Sequence, residues 1–301
     1  MDVEKVIHLK TESRNSNTTN IGTMDGYEIA ATINREDFSI PKAISEVTDS
    51  IGEAIEKASI KYNDGGRLIY IGAGTSGRLG ALDAIELTPT YGVPPTRAFG
   101  ILAGGQKAMF AAVEGAEDSK ELAVEDLKQV KLNNKDIVIS LSASGRTPYA
   151  VSAIEYAKKI GALTIAVICN NDSEMSRISD IAIAPMVGPE PISGSTRMKA
   201  GSSQKMVLNM ISTGIMIKAG YVYENLMINV QPTNEKLIAR SINIIEEILN
   251  IKREDAEKLF KDAHRNIAIG LVMFKLDIDY DSAKIIFEDN KRNIHKIKGI
   301  S

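Results

Sequence analysis

The chain has 301 residues, of which 44% are hydrophobic and 25% charged, with no Trp and a single cysteine, Cys169. A net charge of −3 without a long basic run argues against nucleic acid as main partner, and no uncharged apolar stretch of about 18 residues is present to span a bilayer. The polar, acidic start MDVEKVIHLKTESRNS differs from a signal peptide, and one cysteine cannot form an internal disulfide; both predict a cytoplasmic protein.

Residues 1–23 are polar and unpatterned and read as an N-terminal arm. From Asp25 to about Tyr62, apolar residues such as Ile44, Val47, Ile51 and Ile55 recur at helical spacing. The run Asn63-Asp64-Gly65-Gly66 ends that stretch, and Leu68–Ile71 then reads as a buried strand leading into GAGTSGRLG (72–80), with a helix expected over 78–87. The unit recurs: a strand over 136–142, the loop Ser142–Thr147, Pro148 opening a helix to about Ile160, then strands over 163–169 and 181–184. Strands alternating with helices predict an α/β fold with a parallel central sheet, whose ligands bind at the carboxyl ends of the strands. Residues 185–201 read as a loop and 202–219 as a long apolar helix. Beyond Pro232 only helical patterns remain, over 234–249, 253–262, 264–275 and 280–290. The expected organisation is thus an arm (1–23), an α/β domain (24–248) and a small three-helix module (249–301).

Gly72, Gly74 and Gly77 spell the G-x-G-x-x-G of a dinucleotide turn. The acidic residue that such a turn needs about 20 positions on, for the ribose, is absent, although Arg97 could meet a 2′-phosphate. Thr75 and Ser76 instead add hydroxyls beside free helix N–H groups, which suits a phosphate monoester. Ser142, Ser144 and Thr147 surround Gly145 in the second loop, so two hydroxyl-rich turns favour a sugar phosphate over a dinucleotide. His8, His264 and His295 are scattered, which points away from a metal site, and no cofactor motif remains.

The Ser-x-Ser-Gly-x-Thr loop resembles that of the sugar isomerase (SIS) fold. With AVEGAEDS (112–119), SGSTRMKAG (193–201), QKMVLNMISTG (204–214), TESRN (11–15) and VYENLMINVQPTNEKL (222–237), the chain resembles the N-acetylmuramic acid 6-phosphate etherases over about residues 11–250. That resemblance implies a three-layer SIS sandwich, a homodimer, and a metal-independent lyase that expels D-lactate from C3 of an amino-sugar 6-phosphate. It assigns the proton transfers to Glu86, as acid, and Glu117, as base at C2, with Asp83, Glu114 and Asp118 nearby in sequence. Here Leu87-Thr88-Pro89 follows Glu86, where the family more often has Cys-Pro-Pro. Arg197 and Lys199 are candidate ligands for the lactyl carboxylate or phosphate, or plain loop charges; Arg14 and Asn15 are candidates for a neighbouring subunit's site. The rival readings are a sugar-phosphate sensor akin to the glucokinase regulatory protein, a sugar-phosphate isomerase, a sugar-responsive DNA-binding regulator and, last, an NADP enzyme.

Overall fold

The computed structural model describes residues 13–232 and 234–300. His8, Thr11 and Glu12 of the motifs above lie outside the described residues. By its internal contacts the chain forms two compact units, one comprising the residues up to Ile85 together with Thr96–Ser212, the other Glu86–Pro95 together with Thr213–Ser301.

The first unit is a three-layer α/β sandwich. Its parallel sheet has the order β2-β1-β3-β4-β5, from β1 (Leu68–Gly72), β2 (Ala98–Leu102), β3 (Ile137–Ser142), β4 (Leu163–Ile168) and β5 (Ile181–Ile183). Strands β1, β3 and β4 are buried at every position, as expected when helices cover both faces of a parallel sheet. Alternation sorts their side chains. Ile69, Ile71 and Val138 meet Leu127 of α5 (Lys120–Gln129) and Tyr149 and Ala153 of α6 (Pro148–Ile160). Tyr70 faces α4 (Gly74–Tyr91), where a Cβ on Gly80 would stand 2.9 Å from the Tyr70 Cβ, so only glycine lets this helix lie so close.

Several features depart from the sequence reading. The helical stretch over 25–62 is three helices, α1 (Gly26–Asp37), α2 (Ser39–Ser45) and α3 (Thr48–Asn63). Pro41 has no N–H to give the carbonyl of Asp37, and its ring crowds that carbonyl, so the first helix stops there. Edge strand β2 and the charged helix α5 have no counterpart in the sequence patterns: β2 is half-exposed and short, and α5 has a weak apolar stripe behind its Ser119 cap. Helix α4 begins at Gly74 rather than near 78, so Thr75 and Ser76 belong to its first turn. The sandwich is completed by a short α7 (Glu174–Ile178) and by α8 (Lys199–Lys218), which starts three residues before the expected 202.

The second unit holds the hairpin of β6 (Val222–Tyr223) and β7 (Leu226–Met227), followed by α9 (Glu235–Leu249), α10 (Arg253–Asp262), α11 (Ile267–Leu276) and α12 (Tyr280–Asp289). One core joins Ile244 and Ile245 of α9 to Phe260, Leu271, Phe287 and Ile294. A boundary at 249 therefore does not coincide with a compact unit, because the apolar face of α9 is buried in the helical core formed with α10–α12.

Candidate active site

Strands β1 and β3 are neighbours, with Gly72 paired to Leu141, yet the chain leaves them in opposite directions across the sheet. This is the switch point where ligands of such sheets sit. Both hydroxyl-bearing turns rise from it.

The first turn joins β1 directly to α4. The Gly77 N–H donates to the Ala73 carbonyl at 3.0 Å, closing the opening turn of the helix. A Cβ on Gly77 would collide with the Gly72 carbonyl, so strand end and helix start touch backbone to backbone. The N–H groups of Gly74, Thr75 and Ser76 precede any intrahelical acceptor and are available to an anion. Thr75 is half-buried. Ser76 is buried, and its hydroxyl donates to Gln204 Oε1 at 2.8 Å. Gln204, a fully buried amide on α8, also donates to the Val167 carbonyl at 3.3 Å. Ser76 thus keeps acceptor capacity but its own proton is committed. Sequence reasoning passes over Gln204, although its spacing to Val207, Leu208 and Ile211 marks it as an amide on a buried helix face.

The second turn is organised around one oxygen. Ser142 Oγ accepts from the Gly145 N–H at 3.1 Å and lies 2.8 Å from Thr147 Oγ1 and 3.3 Å from Ser144 Oγ. Ser144 Oγ accepts from the Arg146 N–H at 3.2 Å. Gly145 has φ +69°, and a Cβ there would strike the Ser173 side chain, so glycine is required on both counts. Pro148 opens α6, as its fixed φ allows. Ser142, Ser144, Gly145 and Thr147 are brought together, with Ser144 and Thr147 half-buried at the rim.

The two glutamates are exposed. Glu117 sits in a single 3-10 turn, Ala116–Asp118, between Gly115 at φ +73° and Ser119, whose hydroxyl caps α5 by accepting from the Leu122 N–H at 3.1 Å. Buried Ala116 anchors that turn in the α5–α6 core. Glu86 lies on α4 and is counted with the second unit. Of the other acids nearby in sequence, Glu114 and Asp118 are exposed, whereas Asp83 is engaged within the first unit. It accepts from Tyr70 Oη at 2.7 Å and from Ser212 Oγ at 3.2 Å. Burial raises its pKa above the usual aspartate value, partly offset by these donors.

Lys199 is not a loop charge. It is the first residue of α8, 2% exposed, with Nζ 3.3 Å from Glu36 Oε2. Glu36 also accepts from Asn15 Nδ2 at 2.6 Å and from Asn17 Nδ2 at 2.9 Å. Burial alone would raise the Glu36 pKa, but these donors outweigh it and hold it below the usual value. Glu190, fully buried, takes the N–H groups of Lys199 and Ala200 at 2.8 and 2.9 Å and so caps α8. Asn15 is thus bound within its own chain, while Arg14 and Arg197 are exposed. Burial pushes the Cys169 thiol up to about 12, which makes it a core residue and not a nucleophile.

Family models place this architecture. The SIS domain model matches residues 118–213, and that of the glucokinase regulatory protein N-terminal SIS domain matches residues 50–158. The chain is 58% identical over 289 residues to N-acetylmuramic acid 6-phosphate etherase 1 of Enterococcus faecalis, covering 96% of each chain. The chain belongs to the N-acetylmuramic acid 6-phosphate etherase family. The etherase of Lactobacillus gasseri is 50% identical over 97% of this chain and 99% of its own, and that of Clostridium botulinum strain Okra is 50% identical over 97% of each. The fold is accordingly the SIS sandwich with helices at the C-terminus, and the etherase relatives span both compact units.

Proposed function

We infer that this chain is a carbon–oxygen lyase that cleaves the D-lactyl ether of N-acetylmuramic acid 6-phosphate to N-acetylglucosamine 6-phosphate and D-lactate, a step in the reuse of cell-wall amino sugars. The observation that carries this reading is identity of 47–58% to etherases along nearly the whole chain. The paired hydroxyl turns at the β1/β3 switch point support it, since they offer neutral donors of the kind that hold a phosphate monoester.

In this reading the helix-start amides of 74–76, Thr75, Ser76, Ser144, Thr147 and the Gly145 turn bind the 6-phosphate, with Ser142 as the internal hub. Glu117 takes the C2 proton of the open-chain sugar, made acidic by the C1 aldehyde. Glu86 gives a proton to the ether oxygen as the C3–O bond breaks, and lactate leaves. Water then adds across the C2–C3 double bond, its oxygen to C3 and a proton to C2. Two carboxylates suffice for this chemistry, with no redox step. Arg197, exposed in the turn before α8, is the candidate partner for the lactyl carboxylate; Lys199 shapes that turn through Glu36. Exposed Leu82 and Ile85 on α4 and Ile60 on α3 suit a homodimer contact, and a lone buried thiol suits the cytoplasm.

Lactate release from N-acetylmuramic acid 6-phosphate tests the assignment. The wild-type chain is expected to release lactate, and Glu86→Gln and Glu117→Gln to lose about 100-fold or more in kcat, the scale of general acid–base catalysis. Full activity in either variant removes that residue from its role. Binding of the sugar phosphate without lactate release by the wild type would reassign the chain as a sensor.

A further inference from the structure

The helical unit contains a repeat. Leu249, Ala256, Phe260, Asp262, Arg265, Asn266 and Ile267 recur 27 positions later as Leu276, Ala283, Phe287, Asp289, Arg292, Asn293 and Ile294. The structure repeats with the sequence. Ala256 and Ala283 are fully buried, and the Arg265 and Arg292 N–H groups each donate at 2.8 Å to the carbonyl of the preceding Phe. His264 and Arg265 have φ of +51° and +65°, matched by +55° and +58° at Lys291 and Arg292. Asn266 and Asn293 then cap the next helical turn, accepting from the Ile269 and His295 N–H groups.

The two turns differ in charge. In the second, Glu288 takes Arg292 in a two-pronged ion pair at 2.7–3.0 Å. The matching position in the first is Lys261, so Arg265 has a cation where Arg292 has its carboxylate. His264 packs on the Tyr280 ring, centroids 4.0 Å apart, which fixes the imidazole beside Arg265. Two adjoining clefts open here, of about 310 and 470 Å³, and both are lined by His264 and Arg265. Lys261 lines one, and the amide side chains of Gln231 and Asn266 line the other; no carboxylate is among the described residues lining either. The N-terminal end of α11 adds its positive dipole.

We propose that the turn between α10 and α11 is a binding site for a small oxyanion of the phosphate class, held by Arg265, His264 and Lys261. Like charges gathered at cleft walls, with the internal acid of the sister turn exchanged for a lysine, form an anion site by the same logic that leaves Arg292 closed to one. The site lies within the helical unit and does not rest on the proposed catalytic roles.

The test is an NMR titration of the full chain with inorganic phosphate at constant ionic strength, following the imidazole resonances. With three histidines in the chain, His264→Gln assigns the reporter. The expected result is a saturable shift of His264 that chloride does not reproduce. Lys261→Glu installs the carboxylate of the sister turn and is expected to weaken phosphate about tenfold or more, the scale of one charged hydrogen bond. Arg265→Gln should do the same, and Arg292→Gln should leave the His264 titration unchanged. An unsaturable His264 response, an equal response to chloride, or an affinity indifferent to Lys261→Glu and Arg265→Gln would overturn the proposal.

Discussion

The two ends of the β1–β3 pair carry opposite kinds of chemistry. At the amino ends, Arg67 and Asp136 form a closed charge network: Asp136 accepts from Arg67 Nε at 3.0 Å, Arg67 Nη2 at 2.6 Å and the Arg67 and Asn133 N–H groups at 3.1 and 3.0 Å. The carboxylate is 1% exposed. At the carboxyl ends the same strands run into hydroxyls and helix-start amides, neutral groups whose donors include several with no intrahelical acceptor. One end closes its charges on each other; the other leaves donors facing outward. Charges are paired at one end, and the proposed phosphate contacts lie among the neutral donors of the other.

Breaking the amino end should have the largest effect on stability and the smallest on chemistry. Asp136→Ala leaves the Arg67 guanidinium without its buried partner and is expected to cost about 4 kcal/mol in urea unfolding. Substrate KM of the folded fraction should stay unchanged. The network also has a pH signature. Burial alone would raise the Asp136 pKa, but the hydrogen bonds from Arg67 and Asn133 outweigh it and hold it below the usual value. A depressed folded-state pKa contributes stability that is complete above the unfolded value near ~3.9 and is lost as pH falls through the folded value. The acid limb of a stability–pH curve should therefore be shallower in Asp136→Asn than in the wild type below about pH 4.

At the carboxyl end the effects shift from folding toward binding. Gly77→Ala drives a methyl group into the Gly72 carbonyl, with backbone on both sides and no side chain to yield; about 3 kcal/mol of stability should be lost, together with phosphate affinity. Gln204→Leu leaves the Ser76 hydroxyl and the Val167 carbonyl without this partner, for about 2 kcal/mol in the same assay. Thr147→Val keeps shape and removes one hydroxyl from the Ser142 hub. It should cost about 1 kcal/mol or less in stability yet raise KM for the sugar phosphate about tenfold. Equal KM in wild type and Thr147→Val would separate the second turn from phosphate binding.

Much of this arrangement is legible in the amino-acid sequence. Strands β1, β3 and β4 announce themselves as short apolar runs, helices α9, α10 and α12 as apolar stripes and α11 as a longer apolar run, because these patterns reflect burial alone. The hydroxyl turns are legible from their residue types after a strand. The features that escape are set by partners far away in sequence. Lys199 reads as a loop charge until Glu36, 163 positions earlier, closes on it. Gln204 reads as one more helix residue until Ser76 and Val167 meet its amide. Edge strand β2, half-exposed and interrupted by Gly100, lacks the continuous apolar run of the strands it joins. Pro41 marks the end of α1, but the helical periodicity continues across it.

The central claim is an elimination–addition at C2 and C3 performed by two carboxylates. Proton NMR of the chain with N-acetylmuramic acid 6-phosphate in D₂O tests it most directly. The predicted result is lactate together with an N-acetylglucosamine 6-phosphate that carries deuterium at C2, and neither product from Glu86→Gln or Glu117→Gln at comparable times. Lactate appearing with protium retained at C2, or no lactate from the wild-type chain, would contradict it.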